Sequence, residues 1–310
     1  MNPATKTLVV LAACATLAAP AAAGITGSVG QSFGTNNYRG TKAIASLDLG
    51  DSLYVSPSFS TYRTDSSSGS YYDAGLRVGY DVGPVSFGVQ GSVVPKHDGY
   101  KQNSFGADAT FSLAPGGTKH GRRMAGPDSG GNQTFGYGLA GVDIGVSANH
   151  STHSDDYFAS GPSGDALRAA GLARSKTFTL GQTDLAAFAG AKFLIAEVSA
   201  QVTKTVYDKS LDNTIRESPF LSLTGVDAVE AGFPKLSYNV AAKVSTLPLV
   251  HPYASYTHTT FELGAGHSNA AEIGAVVGLN MLSLKASYTH YTQTGYADRN
   301  YASVGAGLNF

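Results

Sequence analysis

The sequence predicts an all-β fold: a transmembrane, antiparallel, up-and-down barrel of about 14 strands. Three observations carry the prediction. Apolar and polar residues alternate with a period of two through most of the chain, as in strands with one apolar and one polar face. The alternating runs are about 9–12 residues long, which is what a tilted strand needs to cross a bilayer. The connections switch between tight turns and longer polar segments, as in barrels with turns on one side of a membrane and loops on the other.

Residues 71–82 show the pattern plainly. Tyr72, Ala74, Leu76, Val78, Tyr80 and Val82 fall on one face, and Tyr71, Asp73, Gly75, Arg77, Gly79 and Asp81 on the other. Gly83-Pro84 breaks the run, and 85–93 resumes it with Val85, Phe87, Val89 and Val93 opposite Ser86, Gly88, Gln90 and Ser92, so the pair forms a tight hairpin. The same reading places strands near 25–33, 40–49, 52–62, 71–82, 85–94, 103–113, 134–150, 177–190, 193–206, 236–246, 252–262, 270–279, 282–292 and 300–310. An even number puts both ends on the tight-turn side. Two stretches leave 12 and 16 strands open. Residues 114–131 form a long basic connector on the tight-turn side, and 207–235 has room for another hairpin. The only helix-like patch, 165–174, lies in the longest loop, 154–176.

Composition agrees. Charged residues are 14% of the chain, well below the roughly 25% of soluble domains. A mean hydropathy of −0.05 excludes a bundle of apolar membrane helices. A net charge of −1 gives no electrostatic footprint for nucleic acid. Lys6, the apolar run 7–19 and Ala21-Ala22-Ala23 have the three parts of a secretory signal, with Ala21 and Ala23 as the cleavage motif. The expected organisation is therefore a signal peptide, 1–23, and a single barrel domain, 24–310. Leu11-Ala12-Ala13-Cys14 also resembles a bacterial lipobox, in which Cys14 would be acylated; the apolar run before it is short for that role. Cys14 is the only cysteine, so removal of 1–23 leaves a chain without thiols, disulfides or Cys-bound metal.

The chain ends VGAGLNF, with Leu308, Ala306, Val304 and Ala302 alternating behind the terminal Phe310. This resembles the C-terminal strand of bacterial outer-membrane β-barrels. The resemblance implies porin-like architecture, an outer-membrane location, and Phe310 as part of the signal read by the barrel-assembly machinery. It identifies an architectural class and no particular family. A soluble sandwich would also alternate, but its polar face would meet water and carry many Lys and Glu; here those faces are mostly Ser, Thr, Gly and Asn.

The strand register points Lys42, Asp48, Asp73, Arg77, Asp81, Asp108, Glu197, Lys243, Glu272 and Lys285 into the lumen. Facing lipid near the midplane, a Lys or Arg would cost about 2–4 kcal/mol. Tyr72, Tyr80, Tyr238, Phe87, Phe105, Phe111 and Phe310 suit the lipid-facing belt. Arg168 and Arg174, on the helix-like patch, would form a constriction if their loop folds inward. Other clusters read as ordinary structure. His150, His153, Asp155 and Asp156 are metal-ligand types, but residues three apart on a strand diverge. His267-Ser268-Asn269 resembles the His and Ser of outer-membrane lipid A deacylases, yet adjacent residues face opposite sides of a strand. Asp48, Asp73, Asp81 and Asp108 have no spacing that makes a catalytic carboxylate pair. Gly24, Gly27 and Gly30 are small strand residues with no helix after them to bind phosphate.

The expected function is passive diffusion of small polar solutes or ions through a polar lumen, with no catalytic residue, metal or cofactor. Expected partners are outer-membrane lipid, the assembly machinery and the solutes, and no nucleic acid. The alternatives are a structural or adhesive barrel and, behind it, a barrel hydrolase. Export predicts cleavage after Ala23. The intact mass of the purified protein should match a chain that begins at Gly24; a diacylglyceryl adduct on Cys14 would instead establish the lipoprotein.

Overall fold

The computed structural model describes residues 24–63, 69–97, 100–113, 123–127, 140–155, 178–209, 221–223, 229–231, 233–244, 249–262, 266–279 and 281–309. The strands are β1 Ile25–Gly34, β2 Tyr38–Leu49, β3 Leu53–Arg63, β4 Tyr71–Val82, β5 Val85–His97, β6 Tyr100–Leu113, β7 Ala140–Asp155, β8 Phe178–Phe193, β9 Ala196–Tyr207, β10 Leu221–Leu223, β11 Val229–Ala231, β12 Pro234–Val244, β13 Val250–Phe261, β14 His267–Leu279, β15 Leu282–Gln293 and β16 Arg299–Asn309. Fourteen of them close into one antiparallel barrel in which each pairs with its sequence neighbour, apart from β9, which pairs with β12. The short hairpin β10–β11 is a separate sheet in the segment 207–235, so it adds nothing to the barrel count.

Closure is made by β1 and β16, paired from Thr26↔Asn309 to Gly34↔Tyr301. A strand edge in lipid would leave its N–H and C=O groups without partners, so only a closed sheet can cross a bilayer. The β1–β2 link, Thr35-Asn36-Asn37, is also short, with Asn36 at φ +58° and Asn37 at φ +53°, but most of the tight connections lie at the opposite end. Gly50 (φ +88°) and Gly83 (φ +57°) take left-handed conformations there at little cost. The β8–β9 connection is Leu194-Ile195, with Leu194 at φ +49°. The sequence places this turn two or three residues earlier, because nothing in it has the composition of a turn; the flanking pairs Phe193↔Ala196 and Lys192↔Glu197 set the register instead.

The two faces of the wall differ as the alternation requires. Phe105, Ile144, Val198, Val240, Ile273 and Val304 point outward and are about half exposed. The outward aromatics Tyr72, Tyr80, Phe87, Phe105, Phe111 and Tyr238 form part of that surface, while Phe310 lies outside the described residues.

Inside, at the end away from the tight turns, a layer of buried rings lines the wall: Tyr38, Tyr62, Tyr71, Tyr100, Tyr291 and Tyr301. Tyr62 stacks on Tyr71 with centroids 5.1 Å apart, and Tyr38 of β2 meets Tyr301 of β16 edge-on at 5.2 Å over Gly34 of β1. Each such pair contributes about 0.5–1.5 kcal/mol beyond its burial. The Tyr38–Tyr301 contact therefore helps hold the first and last parts of the barrel together.

A closed hydrogen-bonded wall predicts resistance to detergent. Purified protein in sodium dodecyl sulfate should migrate differently before and after boiling, and identical mobility would count against the closed barrel.

Candidate functional site

The inward face of the wall is built mainly from small polar side chains, and they bond across strands. Ser46 meets Ser56 at 2.7 Å, Ser92 meets Ser104 at 2.7 Å, and Ser303 donates to Ser32 at 2.8 Å across the closure. Asn239 Nδ2 donates to Thr257 Oγ1 at 2.8 Å on the other side of the barrel. Partners share a face because directly paired residues in an antiparallel ladder point the same way.

Charged groups are set into this lining in opposed sets. Arg77 on β4 holds Asp108 on β6 through two bonds, Nη1–Oδ1 at 2.6 Å and Nη2–Oδ2 at 2.9 Å, with Gly88 of β5 between them. A Cβ at Gly88 would overlap the guanidinium, so the glycine is what lets the pair meet across a strand. Glu197 on β9 takes Lys192 from β8 at 3.3 Å and Lys243 from β12 at 3.9 Å. Glu272 on β14 takes Lys285 from β15 at 3.9 Å and accepts from Tyr253 Oη at 2.7 Å. Thr205 donates to Asp184 at 2.7 Å. Lys42 and Asp73 lie on one line of paired positions through Ser60, and Asp48 faces Gly24 at the tight-turn end.

One connecting segment also enters the interior. Arg123 is 1% exposed. Its Nη2 donates to Asp81 Oδ1 at 2.9 Å, and its Nη1 to Ser112 Oγ at 3.2 Å. The Ser86 hydroxyl donates to the same Asp81 oxygen. The Met124 N–H donates to Asp143 Oδ2 at 2.6 Å. Gly190 leaves the space that Met124 fills: a Cβ there would lie 2.7 Å from the Met124 Cβ. Residues 123–126 thus lie against β4, β6, β7 and β8, inside the tight-turn end.

All ten charged residues that the alternation turns inward share the face of the Arg77–Asp108 pair. Arg168 and Arg174, and the cleavage residues Ala21 and Ala23, lie outside the described residues, as does Asp156. Sequence reasoning missed Asp143, Asp184, Lys192 and Arg123. The first two alternate with apolar neighbours (Val142 and Ile144, Leu185) and carried a readable signal. Lys192 was hidden by the turn assignment. Arg123 sits in a non-periodic connector, expected to lie as a basic link on the tight-turn side; its ion pair with Asp81 and the Met124 N–H bond to Asp143 hold it inside instead.

The remaining clusters separate as strand geometry demands. His150 points outward to Thr183, while His153 points inward to Tyr100 Oη at 2.9 Å. Asp155 ends β7, and His267 and Ser268 take opposite faces, exposed and buried. Asp81 and Asp108 are each held by an arginine.

A closed 14-strand antiparallel barrel with an apolar exterior and a mixed-charge polar interior has the architecture of bacterial outer-membrane β-barrels. No protein-family model matches the chain, and no curated protein matches it. Similar solved structures include OccK3 (OpdO) from Pseudomonas aeruginosa, at 9% identity over 93% of this chain and 95% of that one, TM-score 0.40. CdiB from Acinetobacter baumannii is 10% identical over 94% of this chain and 61% of its own, TM-score 0.47. The NanC porin is 9% identical over 91% and 98%, TM-score 0.43. At this distance the likeness assigns no activity.

The Arg77–Asp108 pair yields a direct test. Arg77→Gln leaves a nearly buried carboxylate without its cation, and breaking such a pair costs about 3–5 kcal/mol. Urea unfolding of the lipid-reconstituted protein should show that loss. The double variant Arg77→Gln/Asp108→Asn should recover most of it.

Proposed function

We propose that the barrel is a porin-like channel in a bacterial outer membrane, through which small polar solutes or ions diffuse passively. The observation that carries this reading is the contrast between the two faces of one closed wall. Its outside is apolar, and its inside carries hydroxyls, amides and alternating charges. Eight strands leave an interior just filled by side chains, whereas 16–18 leave an aqueous channel; 14 strands lined by Ser, Thr, Gly and Asn fall toward the second case. Lys42, Asp48, Asp73, Arg77, Asp81, Asp108, Glu197, Lys243, Glu272 and Lys285 then line the path, with Asp143, Asp184 and Lys192.

Selectivity follows from how those charges are arranged. Cations and carboxylates are paired with one another around the wall, so little net field is left along the axis. Water in the pore attenuates each charge, and the Debye length of about 10 Å at 0.1 M salt is comparable with a pore radius. The narrowing at Arg123 sits on one side of the tight-turn end and restricts passage there.

A non-transport barrel is the second reading. The inward segment at Arg123 favours it, since a filled interior serves a structural or adhesive protein equally well. No catalytic constellation among the described residues supports a hydrolase.

Single-channel recording in planar bilayers separates the readings. The channel reading expects discrete conductance with at most a weak cation preference under a salt gradient. Arg123→Ala removes the cation beside Asp81 and loosens the segment. Conductance should rise and the reversal potential should move toward cation selectivity. A correctly folded protein that stays silent, with and without Arg123, would favour the structural barrel.

A further inference from the structure

The outward face of the wall carries a feature that transport through the interior does not use. On β6–β9 the exterior sinks into an apolar groove of about 660 Å³. Its floor is made of alanines, among them Ala107, Ala148 and Ala187, and Leu185 and Val202 form its sides. The depression is a matter of side-chain size: outward positions just beyond it carry Phe105, Phe111 and Ile144, which stand well out from the wall. Lys204 lines the same groove.

Lys204 is unusual in its setting. It points outward, with Val202 and Val206 before and after it on that face of β9 and Leu185 and Leu236 at the paired positions on either side. A lysine on the lipid-facing side is costly, increasingly so toward the midplane. Its long stem can lie along apolar surface, but the ammonium still needs water or an anion. Among the described residues, the acids nearest this face lie beyond the strand ends: Asp208, which accepts from the Gly181 N–H, and Glu262, paired with Lys235. On the outward faces of the described barrel strands there is no Asp or Glu, while Arg39, Arg63, Lys101 and Lys204 all project there, toward the end away from the tight turns. Arg39 and Arg63 even lie directly opposite one another, an unfavourable placement unless an anion joins them.

We propose that this groove holds an acyl chain of a phospholipid of net negative charge, with the lipid phosphate against the Lys204 ammonium. The inference rests on the reading that this face of the barrel meets lipid. Alanines give the chain room, and the lysine fixes the head at the level where the cationic rim begins. A second copy of this chain fits less well, because its wall would bring more cations and no carboxylate to Lys204.

The test uses the folded full-length barrel in neutral detergent, with dioleoyl phosphatidylglycerol or dioleoyl phosphatidylcholine added and retained lipid counted by native mass spectrometry. Heat-dependent mobility verifies folding of every variant, so failure of the barrel reading shows separately from failure of lipid binding. Phosphatidylglycerol should be retained preferentially. Lys204→Gln should weaken its retention about fivefold, the equivalent of one exposed charge pair, and Lys204→Arg should preserve it. Ala187→Leu, which fills the groove, should reduce retention of the lipid irrespective of headgroup; Ala148→Leu serves if that variant does not fold. Equal retention of both lipids, unaffected by Lys204→Gln and by the filling variants, would overturn the proposal. So would an oligomer that dissociates when the groove is filled, because the occupant would then be another copy of the chain.

Discussion

Everything in this molecule depends on one constraint: a sheet that crosses lipid has no free edge. Each backbone N–H and C=O must find its partner in the wall, because hydrocarbon offers none. The pairing of β1 with β16 meets that demand, and the rest of the geometry follows from it. Closure fixes which face is inside. Alternation then assigns every second residue to the interior, and an error of one residue in register would turn each charge toward lipid.

The interior keeps its charges by pairing them across strands. Arg77 reaches over Gly88 to Asp108, Arg123 enters from a connector to reach Asp81, and Glu197 sits between Lys192 and Lys243. A charge held this way keeps its position without a dense apolar core around it. The nearest equivalent of a core is the layer of buried tyrosines at the end away from the tight turns. Arg123 and the tyrosines thus brace opposite ends of the same interior, one by ion pairing and the other by ring packing.

The exterior follows a different rule. Among the described residues, acids lie on the inner face and in the connections, and the outward cations gather near one edge. This asymmetry has no counterpart inside, where both signs are mixed. It marks the two faces as belonging to two different surroundings.

Much of the fold was legible in the residues. The period of two in stretches such as 71–82 and 102–113 named the strands, their faces and the inward set, because alternation is a local property of an extended chain. The turn at Leu194-Ile195 was not legible, since a positive φ at leucine is imposed by the pairing on both sides. The inward position of Arg123 was not legible either: a non-periodic connector carries no sign of where it goes, and only the assembled barrel sets Asp81 and Ser112 around that arginine and Asp143 against the Met124 N–H. By itself, then, the sequence determined which side chains share a face. The tertiary structure decided which of those charges meet, how many strands close the wall, and what reaches inside it, because those depend on contacts between residues far apart in the chain.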